Sequence, residues 1–281
     1  MKKTSRRVFL AASVKAALFG AYASGSPILP SSTPWSNWSG GQTCRPAGRF
    51  DIRNEDELRK ILKSSSGKIR PVGSSHSFSP LIPTDGHLVV VDQLNQIHSY
   101  DEKAMTVTLG AGARLGDLGP RLNAIGQGMI NLPDIDRQTI AGAMATGTHG
   151  TGVTLPALSS MITGLRLVTP LGNLLDIDTN DMEMLNAARV NLGALGIVTA
   201  VTMQNRESYK LKKKEWAAPT EDILENFESL TNNHRHFEIF PLVYSDYSLA
   251  LSMDETTEPI GKVENTPSDD ASIAESLGLT A

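Results

Sequence analysis

A single cysteine, Cys44, stands in 281 residues, so no intrachain disulfide can form in any redox compartment, and an inert or buried thiol is expected there. Charge of one sign is also scarce. The formal net charge is -4 with 20% charged residues, and no basic stripe marks a nucleic-acid surface. The one cluster of like charge, Lys210-Leu211-Lys212-Lys213-Lys214, alternates with a strand period and reads as a solvated sheet edge. Long apolar runs are missing. The mildly apolar stretch before Ala23 falls short of the roughly 18 clean apolar residues that a membrane span needs. Metal-ligand spacings are absent as well: His76 and His149 form no His-x-x-x-His pair and have no cysteine cluster beside them, so no metal is expected. With 40% hydrophobic residues the chain has enough apolar side chains for a globular core.

The first residues carry an address. Lys2, Lys3 and Thr4-Ser5-Arg6-Arg7-Val8-Phe9-Leu10 precede the apolar stretch, and Ala21-Tyr22-Ala23 offers small residues for cleavage. This pattern predicts a twin-arginine export signal over 1–23, with the export machinery as a partner and a periplasmic or secreted destination. Residues 24–34, rich in proline and serine, read as a linker.

After the linker, helical and strand patterns alternate. Asp51 or Asn54 can cap a helix over 55–63, followed by strands at 68–72 and 88–92. A strand at 105–109 leads to a helix over 115–125. A hairpin joins 164–169 to 173–178 around Pro170-Leu171-Gly172, and a helix over 182–190 precedes a β-branched strand at Ile197. Beyond Arg206 a strand at 209–216, a helix capped by Thr220 and running through Ile223, Leu224, Phe227 and Leu230, and strands at 237–240 and 247–253 are predicted. Residues 255–281 are polar and punctuated by Pro259 and Pro267, a composition of a disordered tail.

Three small-residue segments carry the chemistry. Arg70-Pro71-Val72-Gly73-Ser74-Ser75-His76-Ser77-Phe78 places a histidine in a glycine-serine loop directly after a strand. Free backbone N–H groups in such a turn form a concavity that favours anions, and the imidazole is a nucleophile beside whatever binds. An ordinary solvated loop is the plain alternative. Thr139-Ile140-Ala141-Gly142-Ala143-Met144-Ala145-Thr146-Gly147-Thr148-His149-Gly150-Thr151-Gly152 spends glycines where each costs a helix about 1 kcal/mol. Close approach of a pyrophosphate to amides and hydroxyls accounts for it, and so does packing of 141–145 against a sheet. Leu192-Gly193-Ala194-Leu195-Gly196-Ile197-Val198 passes through glycines into a strand.

In this order the three segments resemble the FAD-binding domain of the vanillyl-alcohol oxidase, or PCMH-type, family, most closely its sugar-oxidising branch of alditol, L-gulonolactone and D-arabinonolactone oxidases. Asn37-Trp38-Ser39-Gly40, Asp85-Gly86, Gly110-Ala111-Gly112 with Arg114-Leu115-Gly116-Asp117-Leu118, and Leu165-Arg166-Leu167-Val168-Thr169 extend the resemblance from Trp35 to Arg206. The resemblance implies an α+β fold: a two-lobed FAD-binding domain over 35–206 that clasps an extended FAD, followed by the start of a substrate, or cap, domain over 207–254. It places His76 where the family attaches the flavin through its 8α carbon. Ser75 stands there where glycine is common. Pro71, Val72, Gly73, Ser74, Ser75, Ser77 and Phe78 fall on the loop around the cofactor. Thr139, Gly142, Thr146, Gly147, Thr148 and His149 fall on the second contact segment, with His149 open to a purely structural role, and Ile197 meets the cofactor through its backbone. Asn131-Leu132-Pro133-Asp134-Ile135-Asp136 resembles the strand beside the flavin ring, where Pro133 favours direct use of dioxygen. Asp134 is a candidate for flavin or substrate contact and equally for a turn or cap carboxylate.

The function implied is FAD-dependent oxidation of a CH–OH group in a polyol or sugar lactone, with electrons passed to dioxygen to give hydrogen peroxide. The family's later strands, which bring the acidic and basic residues that bind sugar, have no counterpart after residue 254. That departure is the mark of a truncated chain or one completed by another polypeptide, and it leaves a non-catalytic exported flavin-binding module as the alternative. Glu238 is expected either to face substrate or to pair across its sheet.

Overall fold

The computed structural model describes residues 33–261. The expected signal, nearly all of the expected linker and residues 262–281 lie outside the described residues. Two short strands, β1 (Trp35–Ser36) and β2 (Thr43–Cys44), pair antiparallel and hold the turn that contains Trp38. After β3 (Gly48–Asp51) comes α1 (Glu55–Ser64). Asn54, and not Asp51, caps it: Asn54 Oδ1 accepts from Glu57 N at 2.9 Å, while Glu57 Oε2 accepts from Arg53 N at 2.9 Å, a reciprocal cap. Leu58 and Ile61, one turn apart, bury its inner face. Strands β4 (Ile69–Val72) and β5 (His87–Val90) complete a parallel sheet in the order β3-β5-β4. Leu88, Val89 and Val90 of central β5 are all buried, as a parallel strand covered on both faces requires.

Strands β6 (Ile97–Asp101) and β7 (Thr106–Gly110) open a second lobe. The chain leaves it through α2 (Leu115–Asn123), β8 (Gln127–Gly128), α3 (Ile140–Ala145) and a 3-10 turn at Leu158–Met161. It returns in the expected hairpin of β9 (Ile162–Val168) and β10 (Leu174–Asp178), closed by Thr169 N donating to Asn173 O at 2.8 Å. Helix α4 (Met182–Arg189) and β11 (Ile197–Gln204) complete an antiparallel sheet of order β10-β9-β11-β7-β6. Strand β6 was not expected, because this edge strand exposes four of its five residues and has no apolar alternation. The segment 131–136 forms no strand, in contrast to the expectation. Val107, Leu109, Leu165, Leu167 and Val201 of the sheet share one core with Leu115, Leu118, Leu122, Met144 and Leu185 of the helices. Each such side chain, fully buried, contributes roughly 1.5–3 kcal/mol. A smaller cluster joins the lobes, with Val168 and Ile197 of the second packed among Phe50, Leu58, Ile61 and Val89 of the first.

Strand β12 (Arg206–Glu207) pairs with β8 and delivers the chain to a third unit. There β13 (Lys210–Pro219), α5 (Thr220–Glu225), α6 (Phe227–Asn233), β14 (His236–Pro241) and β15 (Tyr247–Thr256) form an antiparallel sheet of order β13-β15-β14 backed by the two helices. The lysine cluster lies on the edge strand β13. Two features differ from the sequence reading. The expected single helix breaks at Asn226, and Thr220 does not cap it, because Thr220 Oγ1 is engaged by Ser248 Oγ at 2.8 Å across to β15. Strand β15 also continues through Glu255, which lies opposite Leu211 and is ion-paired by Arg206 and Arg235. Those pairs order a segment that has too little apolar surface to order itself.

Candidate functional site

The loop after β4 is shaped by residues from outside it. Ser75 adopts φ +62°, the left-handed region that favours glycine. Its Oγ accepts from Trp35 Nε1 at 3.1 Å, and its carbonyl accepts from Trp38 N at 3.1 Å. Asn37 Nδ2 donates to Ser77 O at 3.0 Å. Among the described residues no backbone N–H from 74 to 78 donates to a protein group, which leaves a row of unpaired donors. Gly73 is confined by a close approach: a Cβ there would sit 2.2 Å from Thr139 Oγ1.

Thr139 belongs to the second segment. It caps α3, accepting from Gly142 N at 3.4 Å, and is itself buried. Thr146 closes that helix by donating its hydroxyl to Gly142 O at 3.0 Å. The third segment meets the first at Gly193, φ +85°, where a Cβ would lie 2.9 Å from Pro71 Cγ.

Between these walls lies a cleft of about 630 Å³, within the range of sites that enclose a cofactor. Pro71, Val72, Gly73, Ser74, Ser75, His76, Ser77 and Phe78 line one side, and Thr139, Gly142 and Thr146 the other. Burial, with the nearby guanidinium groups of Arg114 and Arg137, lowers the His76 pKa and favours the neutral imidazole. Gln138 is a further residue of this wall. A dinucleotide with a pyrophosphate and a heteroaromatic ring fits this set: unpaired amides and Arg137 for the anion, and apolar walls for the ring.

Six expected cofactor contacts lie off this wall. Pro133 is buried and Asp134 exposed on the loop that leads to lining residue Ile135. Gly147, Thr148 and His149 follow α3, where Thr148 N donates to Ala143 O at 3.0 Å and the exposed His149 places Nδ1 2.9 Å from Gly150 O. Ile197 points its side chain into the interlobe core while Gly196 and Val198 on either side face the cleft, the alternation of a strand. Sequence reasoning missed Arg137, Gln138 and Asn191 as wall residues. Only the positive φ of Leu192 and Gly193, beside Asn191, had a local signal in the glycine run.

A second polar group forms where the third unit meets the first two lobes. Glu238 of β14 faces Asp134, and Thr151 Oγ1 stands 3.5 Å from Glu238 Oε1 and 3.1 Å from His236 Nδ1. Burial raises the Glu238 pKa, the Asp134 carboxylate raises it further, and Lys213 opposes. Burial lowers the His236 pKa, with Arg235 acting in the same direction. Around this group Arg235 Nη2 donates to Ile130 O at 2.8 Å and Tyr209 Oη to Met129 O at 2.8 Å, tying the unit to the loop that carries Asp134.

The chain matches two family models: the FAD binding domain over 46–178 and D-arabinono-1,4-lactone oxidase over 201–277, the second running into the segment expected to be a tail. It is 37% identical over 227 residues to L-gulono-1,4-lactone dehydrogenase of Mycobacterium tuberculosis, a match that covers 80% of this chain and 53% of that protein. To D-arabinono-1,4-lactone oxidase of Eremothecium gossypii it is 30% identical over 236 residues, covering 81% and 44%. The chain thus spans about half the length of the curated relatives it matches. Its fold is that of a cholesterol oxidase from Brevibacterium sterolicum, with a TM-score of 0.75 at 20% identity over 85% of this chain and 50% of that one. These matches give the chain an FAD binding domain followed by part of a D-arabinono-1,4-lactone oxidase domain, similar in sequence to the sugar-lactone oxidases and dehydrogenases and in fold to the PCMH-type oxidases.

Proposed function

We propose that this chain holds FAD in the interlobe cleft, attached covalently at His76, and serves the oxidation of a CH–OH group in an aldonolactone or related polyol, with dioxygen as electron acceptor and hydrogen peroxide as product. The observation that carries this reading is the position of the His76 imidazole on the wall of a cleft whose loop amides are unpaired. Bound FAD supplies the hydride-accepting ring. The chain's own residues do the rest. The amides of 74–78 and Arg137 meet the pyrophosphate, and the apolar wall excludes water. Pro133 is buried two residues before the lining residue Ile135, and its match to the family position that favours direct use of dioxygen supports dioxygen as acceptor over a dehydrogenase partner. Arg6-Arg7 supports export through the twin-arginine route, which carries proteins already folded around a cofactor.

The test is to purify the full chain, precipitate it in acid, wash out free flavin and record the absorbance left on the polypeptide, with His76→Ala as control. Colour retained by the wild type and lost in the variant is expected. Colour released from both leaves FAD binding and refutes the covalent anchor. Peroxide release on addition of L-gulono-1,4-lactone or D-arabinono-1,4-lactone then tests the reaction, and flavin that stays oxidised with every lactone refutes the activity.

A further inference from the structure

The Asn37-Trp38 motif lies outside the role described so far, yet the structure sets it against the loop that carries His76. The Trp38 ring stacks on the His76 imidazole with centroids 5.2 Å apart and planes 18° apart, and meets Phe78 edge-on at 5.5 Å and 74°. Burial does not account for this placement. Trp38 is 56% exposed, whereas Trp35, three residues earlier, is 6% exposed and sits in a core cluster. The backbone around Trp38 is held firmly against the loop: Trp38 N donates to Ser75 O, and Asn37, itself buried, donates to Ser77 O, so both flanks of His76 are pinned to the β1–β2 turn. The imidazole itself has no such tether. Neither ring nitrogen of His76 hydrogen-bonds to a protein group among the described residues.

A nucleophilic imidazole has two needs that conflict. Its ring must be held in one orientation, and a nitrogen lone pair must stay free. A hydrogen bond to the ring satisfies the first at the cost of a nitrogen, while a stacked indole satisfies both. We propose that Trp38 is a positioning residue for flavin attachment, its indole face holding the His76 imidazole in the orientation from which a ring nitrogen reaches the 8α carbon. The inference rests on the reading of His76 as the flavin anchor. In the net attachment, one imidazole N–H and one 8α C–H are lost and one N–C bond forms. The two electrons and two protons released reduce dioxygen to hydrogen peroxide.

The test uses Trp38→Phe, which keeps a ring on the imidazole, and Trp38→Leu, which keeps bulk without a ring. The full-length chain is produced in flavin-depleted cells and mixed with FAD in air, and acid-stable flavin on the polypeptide is followed in time. Non-covalent FAD affinity is measured separately by quenching of flavin fluorescence. Trp38→Phe is expected to attach flavin at close to the wild-type rate. Because Trp38 also lines the cleft, the rates are compared at saturating FAD, where Trp38→Leu is expected to attach flavin about two- to tenfold more slowly, the rate equivalent of one aromatic pair. Equal rates for the two variants, or a Trp38→Leu deficit that follows FAD affinity alone, overturn the positioning role. A wild-type chain that binds FAD and never attaches it refutes the anchor reading instead, and this inference with it.

Discussion

Replacing Ser75 separates two contributions to the shape of the cofactor loop. At φ +62° an L-residue bears roughly 1–2 kcal/mol of steric cost, and Ser75 offsets part of it with the hydrogen bond its Oγ accepts from the buried Trp35 Nε1 at 3.1 Å. Such a bond is worth about 0.5–1.5 kcal/mol. Ser75→Ala loses the bond and keeps the strain, so it destabilises by about 1 kcal/mol, rising toward about 3 kcal/mol if the indole N–H finds no other acceptor. Ser75→Gly loses the same bond and sheds the strain, with about 0.5–1 kcal/mol returned to the unfolded chain as glycine entropy. The glycine variant therefore comes out close to wild type and about 1 kcal/mol above the alanine variant. For a fold of this size that is a difference of about 2–4 °C in Tm. Urea denaturation of both variants reads it as a shift in midpoint at constant slope. Coincident midpoints, or an alanine variant more stable than the glycine one, would show that the left-handed backbone at this position carries no cost. The same pair informs on function: Ser75→Gly keeps the loop geometry and should keep acid-stable flavin.

Gly73→Ala drives a Cβ to 2.2 Å from Thr139 Oγ1, an overpacking cost of about 1–3 kcal/mol, and should weaken FAD binding. Gly73→Ala with Thr139→Ala removes the obstructing oxygen and should recover part of the affinity measured by flavin quenching, so an unrelieved double variant argues against the clash. Glu238 provides a pH test. Its folded carboxyl titrates above its unfolded one, so the native state binds more protons, and stability falls as pH rises from the ordinary glutamate range through the folded titration. Glu238→Gln cannot lose a proton there. Its stability relative to wild type should improve as pH rises from about 4 to 8, and parallel curves would refute the raised titration. Arg235→Met removes the donor to Ile130 O and the ion pair with Glu255, charged contacts worth about 1.5–3 kcal/mol at a side chain only 17% exposed. Faster amide exchange in β14 and β15, with β9 and β11 unchanged, is the expected sign, and uniform exchange would place the loss elsewhere.

Features settled within a few residues were legible in the chain alone. A capping residue at 51 or 54 announces the start of α1, Pro170-Leu171-Gly172 turns the β9–β10 hairpin, and the glycine-serine loop and the glycine-rich run from Thr139 announce themselves by composition. The family resemblance was legible for the same reason, since its motifs are local runs in a fixed order. Only the tertiary structure decided how those runs meet. Thr220 carries a capping residue's hydroxyl, but Ser248 on a neighbouring strand competes for it. β6 exists because β7 offers it an edge, with no apolar pattern of its own. Gln138 came to line the cleft, Asp134 came to face Glu238, and Trp38 came to lie on His76 through contacts between segments far apart in sequence. Local propensity fixes backbone conformation over a turn or two. Which side chains converge depends on the order in which strands pair, and one-dimensional periodicity does not encode that order.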